Sequence, residues 1–290
     1  MSQSTRPRRS VLFVPADNQR ALQKINPQLA ADCIVIDLED AVSNDNKGPA
    51  RAALLQQVAQ MDTGGRELLL RINSSDSVDY LEDVALAASL AIDAVVLPKV
   101  EHPEQVQQLA QALPADKKVW AMIETARGVI NADAICSAHP KLAAMMMGTQ
   151  DLGLDLQLRP GVNSSQIIEH CLMQCVLAAR AAGIAAIDAV CPEFNDLEPL
   201  REQCRGAVAR GYDGKSAIHP KQLMSINASF SPDPAQLDHA HAIMGAWQEA
   251  KAQGLSVAKL DGRMIEELHA TQASLILQQA VAIANLHDGS

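Results

Sequence analysis

Short apolar runs recur along the first 220 residues, and a stretch with amphipathic spacing follows each of them. A continuous apolar run bounded by charge is typical of a strand buried on both faces. We predict eight strands, in the segments SVLFVP, CIVIDLED, ELLLRIN, AVVLPK, VWAMIET, LAAMMMGTQD, AAIDAVCPE and GYDGKSAIHP. The helices between them are predicted at residues 18–31, 48–60, 78–91, from 103 onward, up to 138, 164–182, up to 210, and from 220 onward.

Strands that alternate with helices indicate right-handed βαβ units on a parallel sheet. Eight such units predict an α/β fold, the (β/α)8 TIM barrel. An open doubly wound sheet is the alternative, and it is weaker because no G-x-G-x-x-G follows the first strand.

The pattern changes after about residue 231. Two helices are expected at residues 234–253 and 262–284, joined by GLSVAKLDG. We therefore predict a barrel domain over residues 1–230 and a C-terminal helical extension over residues 231–290. This extension is expected to pack over a barrel face or to reach a neighbouring subunit.

Composition narrows the classes of partner. The 290 residues carry a formal net charge of −10 with 2% aromatic residues, which argues against nucleic-acid binding. The longest apolar runs fall short of the roughly 20 residues of a membrane helix, and a signal peptide is not evident, so a cytoplasmic location is expected. Six scattered cysteines are expected to be reduced and buried, although Cys171 and Cys175 at i,i+4 are also compatible with a metal site.

Polar residues occur near the ends of almost all the predicted strands. In a TIM barrel the carboxyl ends of the strands converge on the active site, so these residues are expected to face one mouth. They are Asp37, Glu39, Asp40, Arg71, Asn73, Lys99, Glu124, Asp151, Asp188 and Lys215.

Glu124 and Asp151 follow adjacent strands. Two carboxylates without nearby His or Cys suit Mg²⁺ or Mn²⁺, with water and substrate as further ligands, and do not suit zinc. Asp151 alternatively caps the helix that follows it. Arg71, buried at a strand end, needs an anionic partner. That partner is either Glu39 or Asp40, or a substrate carboxylate held by two hydrogen bonds.

The segments RRSVLFVPADNQRALQK, DCIVIDLEDAV, LLLRIN, AVVLPKVE, AMIETARGV, MMGTQDL, GYDGKSAIHPKQ and LDGRMIEELH occur in this order over nearly the whole chain. Together they resemble the HpcH/HpaI aldolase and citrate lyase family, specifically its citrate lyase beta-like CoA-thioester lyases. The resemblance implies a TIM barrel in homotrimers or hexamers, with Glu124 and Asp151 as Mg²⁺ ligands and Arg71 as a substrate-binding residue. It further implies contact with CoA around Phe13, Arg20 and Lys24, with GKSAIHP as another wall, and a tail that covers a neighbour's site.

Two positions depart from the family pattern. Gln150 stands where members often have Glu before the metal-binding Asp, and MIEE stands where the lid motif commonly reads M-I-D. Glu266 is therefore the expected acid of the lid, with Asp261 as an alternative.

The reaction implied is retro-Claisen cleavage of a carboxylated 3-hydroxyacyl-CoA thioester. Arg71, Asp40 and Glu266 are the expected catalytic residues, and Arg71, Glu124 and Lys215 are expected to bind substrate. Citramalyl-CoA, giving pyruvate and acetyl-CoA, is the first expected substrate, and malyl-CoA is the second. The alternatives are a citrate lyase beta subunit acting on citryl-acyl carrier protein, a malyl-CoA thioesterase, cleavage of non-thioester hydroxy-keto acids, and a non-catalytic CoA-ester-binding subunit.

Overall fold

A computed structural model describes residues 6–159 and 161–288, with side chains described as far as Leu286. Chain contacts form two compact units. One covers Arg8–Phe230, and the other takes the chain from Ser231 onward. None of the helices in the described part of the chain has the length and apolar composition that crossing a bilayer requires.

Eight parallel strands close into a barrel in chain order, which confirms the predicted TIM barrel over the open sheet. Their bounds are β1 Ser10–Pro15, β2 Cys33–Asp37, β3 Glu67–Arg71, β4 Ala94–Leu97, β5 Lys118–Ile123, β6 Leu142–Met147, β7 Ala185–Asp188 and β8 Gly214–Ala217. The barrel closes where β8 pairs with β1, with Val11 opposite Ser216.

Helices follow the strands on the outside. Their bounds are α1 Gln19–Leu22, α2 Asn44–Gln57, α3 Tyr80–Ser89, α4 Pro103–Ala112, α5 Ala126–Ile130, α6 Ala132–Cys136, α7 Thr149–Asp155, α8 Ser165–Ala182, α9 Glu198–Arg210 and α10 Leu223–Ser229. The predicted helix at 18–31 is wrong after its first turn. Helix α1 ends at Leu22, and Pro27, which lacks a backbone N–H and disfavours helix in the residue before it, is incompatible with a helix that continues to residue 31.

Alternation along each strand divides the core into two layers. Val35, Leu69, Trp120 and Met146 belong to a cluster formed by strand residues alone, inside the barrel. Residues such as Met145, together with helix residues, form the larger layer between strands and helices. Successive strand side chains point to opposite faces, so one run of methionines contributes to both layers.

Ion pairs occupy the amino-terminal end of the barrel. Arg8 donates two hydrogen bonds to Glu67, the shorter at 2.7 Å, and its guanidinium lies 5.0 Å from the ring centre of Trp120. Gly214 passes so close to this segment that a β-carbon there would lie 2.6 Å from the carbonyl oxygen of Arg9. At this end of the barrel the buried charges are paired with each other, as expected for groups that stabilise the fold.

The second unit contains α11 Pro234–Ala252, a hairpin of β9 Ala258–Leu260 and β10 Arg263–Ile265, and α12 Glu267–Asp288. The predicted helix start at residue 262 is therefore wrong. Asp261 and Gly262 both have positive φ, 49° and 78°, as a two-residue hairpin turn requires. The Asp-Gly pair favours that turn and delays the helix until Glu267.

Candidate functional site

Arg71 and Asp37 form the centre of a polar cluster at the carboxyl ends of β2 and β3. The two residues pair in register, and both are buried. Arg71 Nε donates to Asp37 Oδ1 at 2.7 Å, and Nη2 donates to Oδ2 at 2.6 Å. Burial alone would lower the pKa of Arg71, but the hydrogen bonds and charge of Asp37, with the charge of Glu39, raise it. The guanidinium is therefore permanently charged and fixed in direction.

Glu39 links Arg71 to Lys99. Arg71 Nη1 lies 2.8 Å from Glu39 Oε2, which is an ion-pair distance, although the N–H is not aligned for a hydrogen bond. The ammonium of Lys99 donates to Glu39 Oε1 and lies 3.7 Å from Asp40 Oδ1. Burial raises the pKa of Glu39, and the two cations counteract this effect. The Asp40 side chain is 56% exposed, so its carboxylate is open to solvent.

Two further side chains support the guanidinium of Arg71. The ring centre of Phe13 lies 5.1 Å from its central carbon, within cation–π range. Arg71 Nη1 donates a long hydrogen bond to Met122 Sδ at 3.8 Å. These contacts, together with Asp37, fix the position of Arg71 before any ligand binds.

Glu124 follows β5 and is fully buried. Its two carboxylate oxygens differ in their hydrogen bonding. Oε1 accepts a hydrogen bond from the backbone N–H of Lys99 at 2.8 Å. Oε2 is buried and has no hydrogen-bond partner within the protein. Burial raises the pKa of Glu124 to about 8, with the charges of Glu39 and Asp151 adding to the rise while Arg71 and the Lys99 N–H oppose it. A buried carboxylate oxygen without a donor is costly unless a cation or ligand satisfies it.

Gly148 provides the space into which the Glu124 carboxylate fits. A β-carbon at Gly148 would lie 2.7 Å from Glu124 Cβ and 3.0 Å from Met122 Cε, and it would overlap Glu124 Oε2. Gly148 follows β6, and its N–H donates to the carbonyl of Ile123 at 3.0 Å. Glycine is needed here for close approach, since φ is an ordinary −119°.

Helix α7 begins directly after Gly148. Asp151 lies in its first turn and is half-buried. Its charge contributes to the raised pKa of Glu124, so the two carboxylates interact across neighbouring β/α units. Asp155, one turn later, accepts a hydrogen bond from the N–H of Ala126 at 2.7 Å. This bond joins the helix carrying Asp151 to the segment carrying Glu124. Gly148 is the N-cap of α7 and Asp151 lies inside the first turn, so Asp151 is not the N-cap residue of this helix.

These carboxylates are suited to a hard divalent cation. Glu124 Oε2 lacks a donor, and Asp151 supplies a second oxygen-bearing group. Within residues 6–159 and 161–288, no group of three or more His, Cys, Asp or Glu side chains forms a ligand set by itself. Two carboxylates with remaining positions open to water and substrate are typical of Mg²⁺, which retains several waters. The residues therefore fit the predicted Mg²⁺.

The structure corrects the expectation that Lys215 binds substrate. Lys215 is 1% exposed, and its ammonium donates to Asp188 Oδ2 and to the carbonyl of Ala189, both at 2.7 Å. Its strand neighbours Ser216 and Gly214 are in register with the inward-facing Val11 and Ile187, so Lys215 and Asp188 point outward. This pair belongs to the layer beneath the helices and is absent from the cluster at the mouth.

The residues expected to contact CoA lie at the end of β1. Phe13 is on the strand and half-buried under Arg71, whereas Arg20 and Lys24 are exposed in and just after α1. At the end of the neighbouring β8, His219 stacks on Phe194 with ring centres 5.0 Å apart. Its Nδ1 accepts a hydrogen bond from the N–H of Lys221 at 3.1 Å, which fixes the orientation of the ring.

Glu266 lies in the second unit, half-buried, at the start of α12. Its backbone N–H donates to His269 Nδ1 at 3.1 Å. Asp261, the alternative acid, occupies the hairpin turn. The catalytic role of either acid stays a prediction.

Sequence reasoning missed the contacts that position Glu124 and the helix carrying Asp151. Lys99 was expected at the mouth for its charge, but its N–H also fixes Glu124. Gly148 and Asp155 received no role. The signal in the sequence is Gly148 itself, since a glycine between β6 and α7 allows another side chain to approach the backbone closely.

The model of the HpcH/HpaI aldolase/citrate lyase family matches residues 9–220. A (3S)-malyl-CoA thioesterase of Cereibacter sphaeroides is 41% identical over 286 residues, covering 98% of each chain. The mitochondrial citramalyl-CoA lyase of Rattus norvegicus is 30% identical over 296 residues, covering 96% of this chain and 87% of that protein. A crystal structure of CitE from Mycobacterium tuberculosis, in complex with magnesium, acetoacetate and coenzyme A, is 31% identical. The structural match covers 94% of this chain and 97% of the CitE chain, with a TM-score of 0.77.

Proposed function

Because this chain belongs to the HpcH/HpaI aldolase/citrate lyase family, we propose that it is a Mg²⁺-dependent carbon–carbon lyase acting on a carboxylated 3-hydroxyacyl-CoA thioester. The proposed substrate is citramalyl-CoA, cleaved to pyruvate and acetyl-CoA, with malyl-CoA as the second choice. The observation that carries the proposal is the buried, donor-free Glu124 Oε2, which lies at the same mouth as Arg71 and within electrostatic range of Asp151. The citramalyl-CoA lyase relative and the magnesium- and coenzyme A-bound neighbour support it.

Glu124 and Asp151 would hold the metal, with Mn²⁺ as a possible substitute for Mg²⁺. When bound, the ion supplies Lewis acidity that lowers the pKa of the substrate hydroxyl and stabilises charge on the departing keto acid. Glu124 would contribute Oε2, since Oε1 already accepts a hydrogen bond from the Lys99 N–H.

Arg71 would stabilise negative charge on the thioester oxygen as the enolate forms. Asp37 and Phe13 already fix the guanidinium, so little reorganisation is needed during the reaction. A fixed charge of this kind is worth on the order of 10²–10³ in rate. The Glu39 contact occupies one edge of the Arg71 guanidinium.

Asp40 is the proposed base because it is the solvent-open carboxylate of this cluster. It would take the proton of the 3-hydroxyl group. The electron pair of the breaking carbon–carbon bond then passes to the carbon next to the thioester, giving the enolate. Protonation of that carbon completes acetyl-CoA, and the hydroxyl carbon becomes the keto group of pyruvate. Glu266 is the proposed second acid–base group by its place in the lid motif.

Phe13, Arg20 and Lys24 are the proposed contacts for CoA at the end of β1. Two exposed cations there suit the phosphates of CoA, which an acidic chain must bind through local charge. Assembly into homotrimers or hexamers is part of the proposal by family resemblance. An acyl carrier protein becomes the partner only if the thioester is carried on protein.

Thioester hydrolysis of malyl-CoA is the second candidate, favoured by 41% identity to a (3S)-malyl-CoA thioesterase. In that reaction water attacks the thioester carbonyl, and the products are malate and free CoA. The same Arg71 would stabilise the oxyanion. The arrangement of Glu124, Asp151 and Arg71 is compatible with either reaction, and the products distinguish them.

Mass spectrometry of the products tests the proposal. The purified protein is incubated separately with citramalyl-CoA and malyl-CoA, with Mg²⁺ and with EDTA. Acetyl-CoA formed in equal amount with pyruvate, or with glyoxylate from malyl-CoA, supports a lyase. Free CoA with intact malate supports the thioesterase. Absence of turnover with both esters contradicts both proposals, and Glu124→Gln controls for contaminating activity.

A further inference from the structure

Lys99 adopts an unusual backbone conformation at the mouth of the barrel. Its φ is +51°, in the left-handed region that non-glycine residues avoid at a cost of roughly 1–2 kcal/mol. Two other described non-glycine residues share this sign: Gln157 just after α7 and Asp261 in the hairpin turn. A helix end and a two-residue turn commonly contain such residues. Lys99 lies in neither setting, so its conformation calls for a different cause.

The turn at Lys99 allows one residue to reach two carboxylates from different strands. The Lys99 N–H donates to Glu124 Oε1, and the next N–H, of Val100, returns to the carbonyl of Met122 on β5 at 3.1 Å. The side chain runs the other way, and its ammonium bonds to Glu39. Backbone and side chain of Lys99 therefore connect the Glu124 side of the site with the Arg71 side.

The consequence for Glu124 is an asymmetric carboxylate. One oxygen is saturated by a backbone donor, and Gly148 confines the other, which keeps no protein donor. We propose that Lys99 is a positioning residue whose left-handed backbone selects Glu124 Oε2 as the oxygen presented to the divalent cation. The proposal rests on the proposed function for the identity of that cation.

A series of substitutions at Lys99 separates backbone from charge. Lys99→Gly and Lys99→Asn remove the ammonium and tolerate positive φ, Lys99→Ala removes it and keeps the β-carbon that lysine already has, and the β-branched Lys99→Val removes it and resists positive φ more strongly than lysine. Mg²⁺ dissociation constants are measured by isothermal titration calorimetry. We expect the Gly, Asn and Ala variants to stay within about twofold of wild type and the Val variant to bind Mg²⁺ about tenfold more weakly. Gly254→Val, at a positive-φ glycine of the second unit with open space around it, controls for general strain and should leave Mg²⁺ binding unchanged.

Hydrogen exchange provides a readout that needs no metal. In the metal-free protein, the Lys99 amide should exchange slowly in wild type and in Lys99→Asn, and fast in Lys99→Val. Equal weakening of Mg²⁺ binding in all four variants would show that charge decides and would overturn the proposal. So would unchanged binding in Lys99→Val, or fast exchange of the Lys99 amide in wild type. Wild-type protein that fails to bind Mg²⁺ while this amide is protected would contradict the proposed function and leave the hydrogen bond to Glu124 established.

Discussion

Glu124 and Gly148 approach so closely that the carboxylate of the first occupies the space where a side chain of the second would begin. They come from adjacent strand ends, and Gly148 is three residues before Asp151. Gly148, which confines Glu124 Oε2, is also the N-cap of the helix carrying the second carboxylate. This geometry explains why the buried strand β5 can be followed by a buried glutamate: Gly148 leaves room for its carboxylate.

Gly148→Ala is expected to weaken Mg²⁺ binding by at least tenfold, because a β-carbon would displace the Glu124 carboxylate. Calorimetric titration measures the change. Gly153→Ala is the matched control within α7, where a β-carbon meets only Leu158 Cδ1 at 3.8 Å. Alanine in a helix is favourable relative to glycine by about 0.5–1 kcal/mol, so this control should bind Mg²⁺ normally and unfold no earlier. Equal affinities for the two variants would refute the steric argument.

Arg71→Lys keeps the charge but loses the paired hydrogen bonds to Asp37. We expect turnover to fall on the order of 10²–10³, since a lysine cannot reproduce the fork that holds this charge in place. Steady-state kinetics with the accepted thioester gives the measurement. Arg201→Lys, in an exposed ion pair with Glu198, is the surface control and should change neither rate nor stability appreciably. A small effect at Arg71 would remove it from the catalytic assignment.

Lys215 is expected to matter for stability and not for the metal site. Lys215→Met leaves Asp188 buried without its cation and should lower the free energy of unfolding by about 3–5 kcal/mol. The double variant Lys215→Met/Asp188→Leu should recover much of that loss. Denaturant unfolding measures both. Mg²⁺ affinity of the folded protein should remain unchanged, and a selective loss of affinity would restore Lys215 to the site.

Thiol reactivity should be low in the native protein. All six cysteines are buried, and burial raises the pKa of Cys136 to about 12 and raises those of Cys171, Cys175 and Cys204. The reactive species is the thiolate, which forms only as the pH approaches the pKa. At pH 8 we expect negligible reaction with a disulfide reagent over minutes, and six thiols titrated after unfolding. Rapid native labelling would contradict the described packing.

The order of elements was largely predictable because apolar runs mark buried strands wherever helices cover both faces of a sheet. The β1 prediction matches its observed bounds, Ser10–Pro15. Most predicted strand ends were too long, since CIVIDLED and its equivalents continue into polar loop residues at the mouth. The hairpin of the tail was not predicted, because its strands are only three residues each and the Asp261-Gly262 pair is also compatible with a linker followed by a helix start.

Which strand-end residues face the mouth was less predictable. Asp37 and Arg71 face each other, while Asp188 and Lys215 also pair but point outward. Position near a strand end does not settle direction, since a shift of one residue reverses the face. Ile187 faces the inside of the barrel, and alternation along the strand therefore makes the next residue, Asp188, point outward. The conformation of Lys99 depends on tertiary contacts, so local sequence did not indicate it.

A crystal of the protein grown with Mn²⁺ in place of Mg²⁺, measured for anomalous scattering, tests the central claim most directly. The account predicts one strong peak at the carboxyl ends of β5 and β6, with Glu124 Oε2 and one oxygen of Asp151 both about 2.0–2.3 Å away. A peak elsewhere, or a peak bonded to only one of these carboxylates, would contradict it.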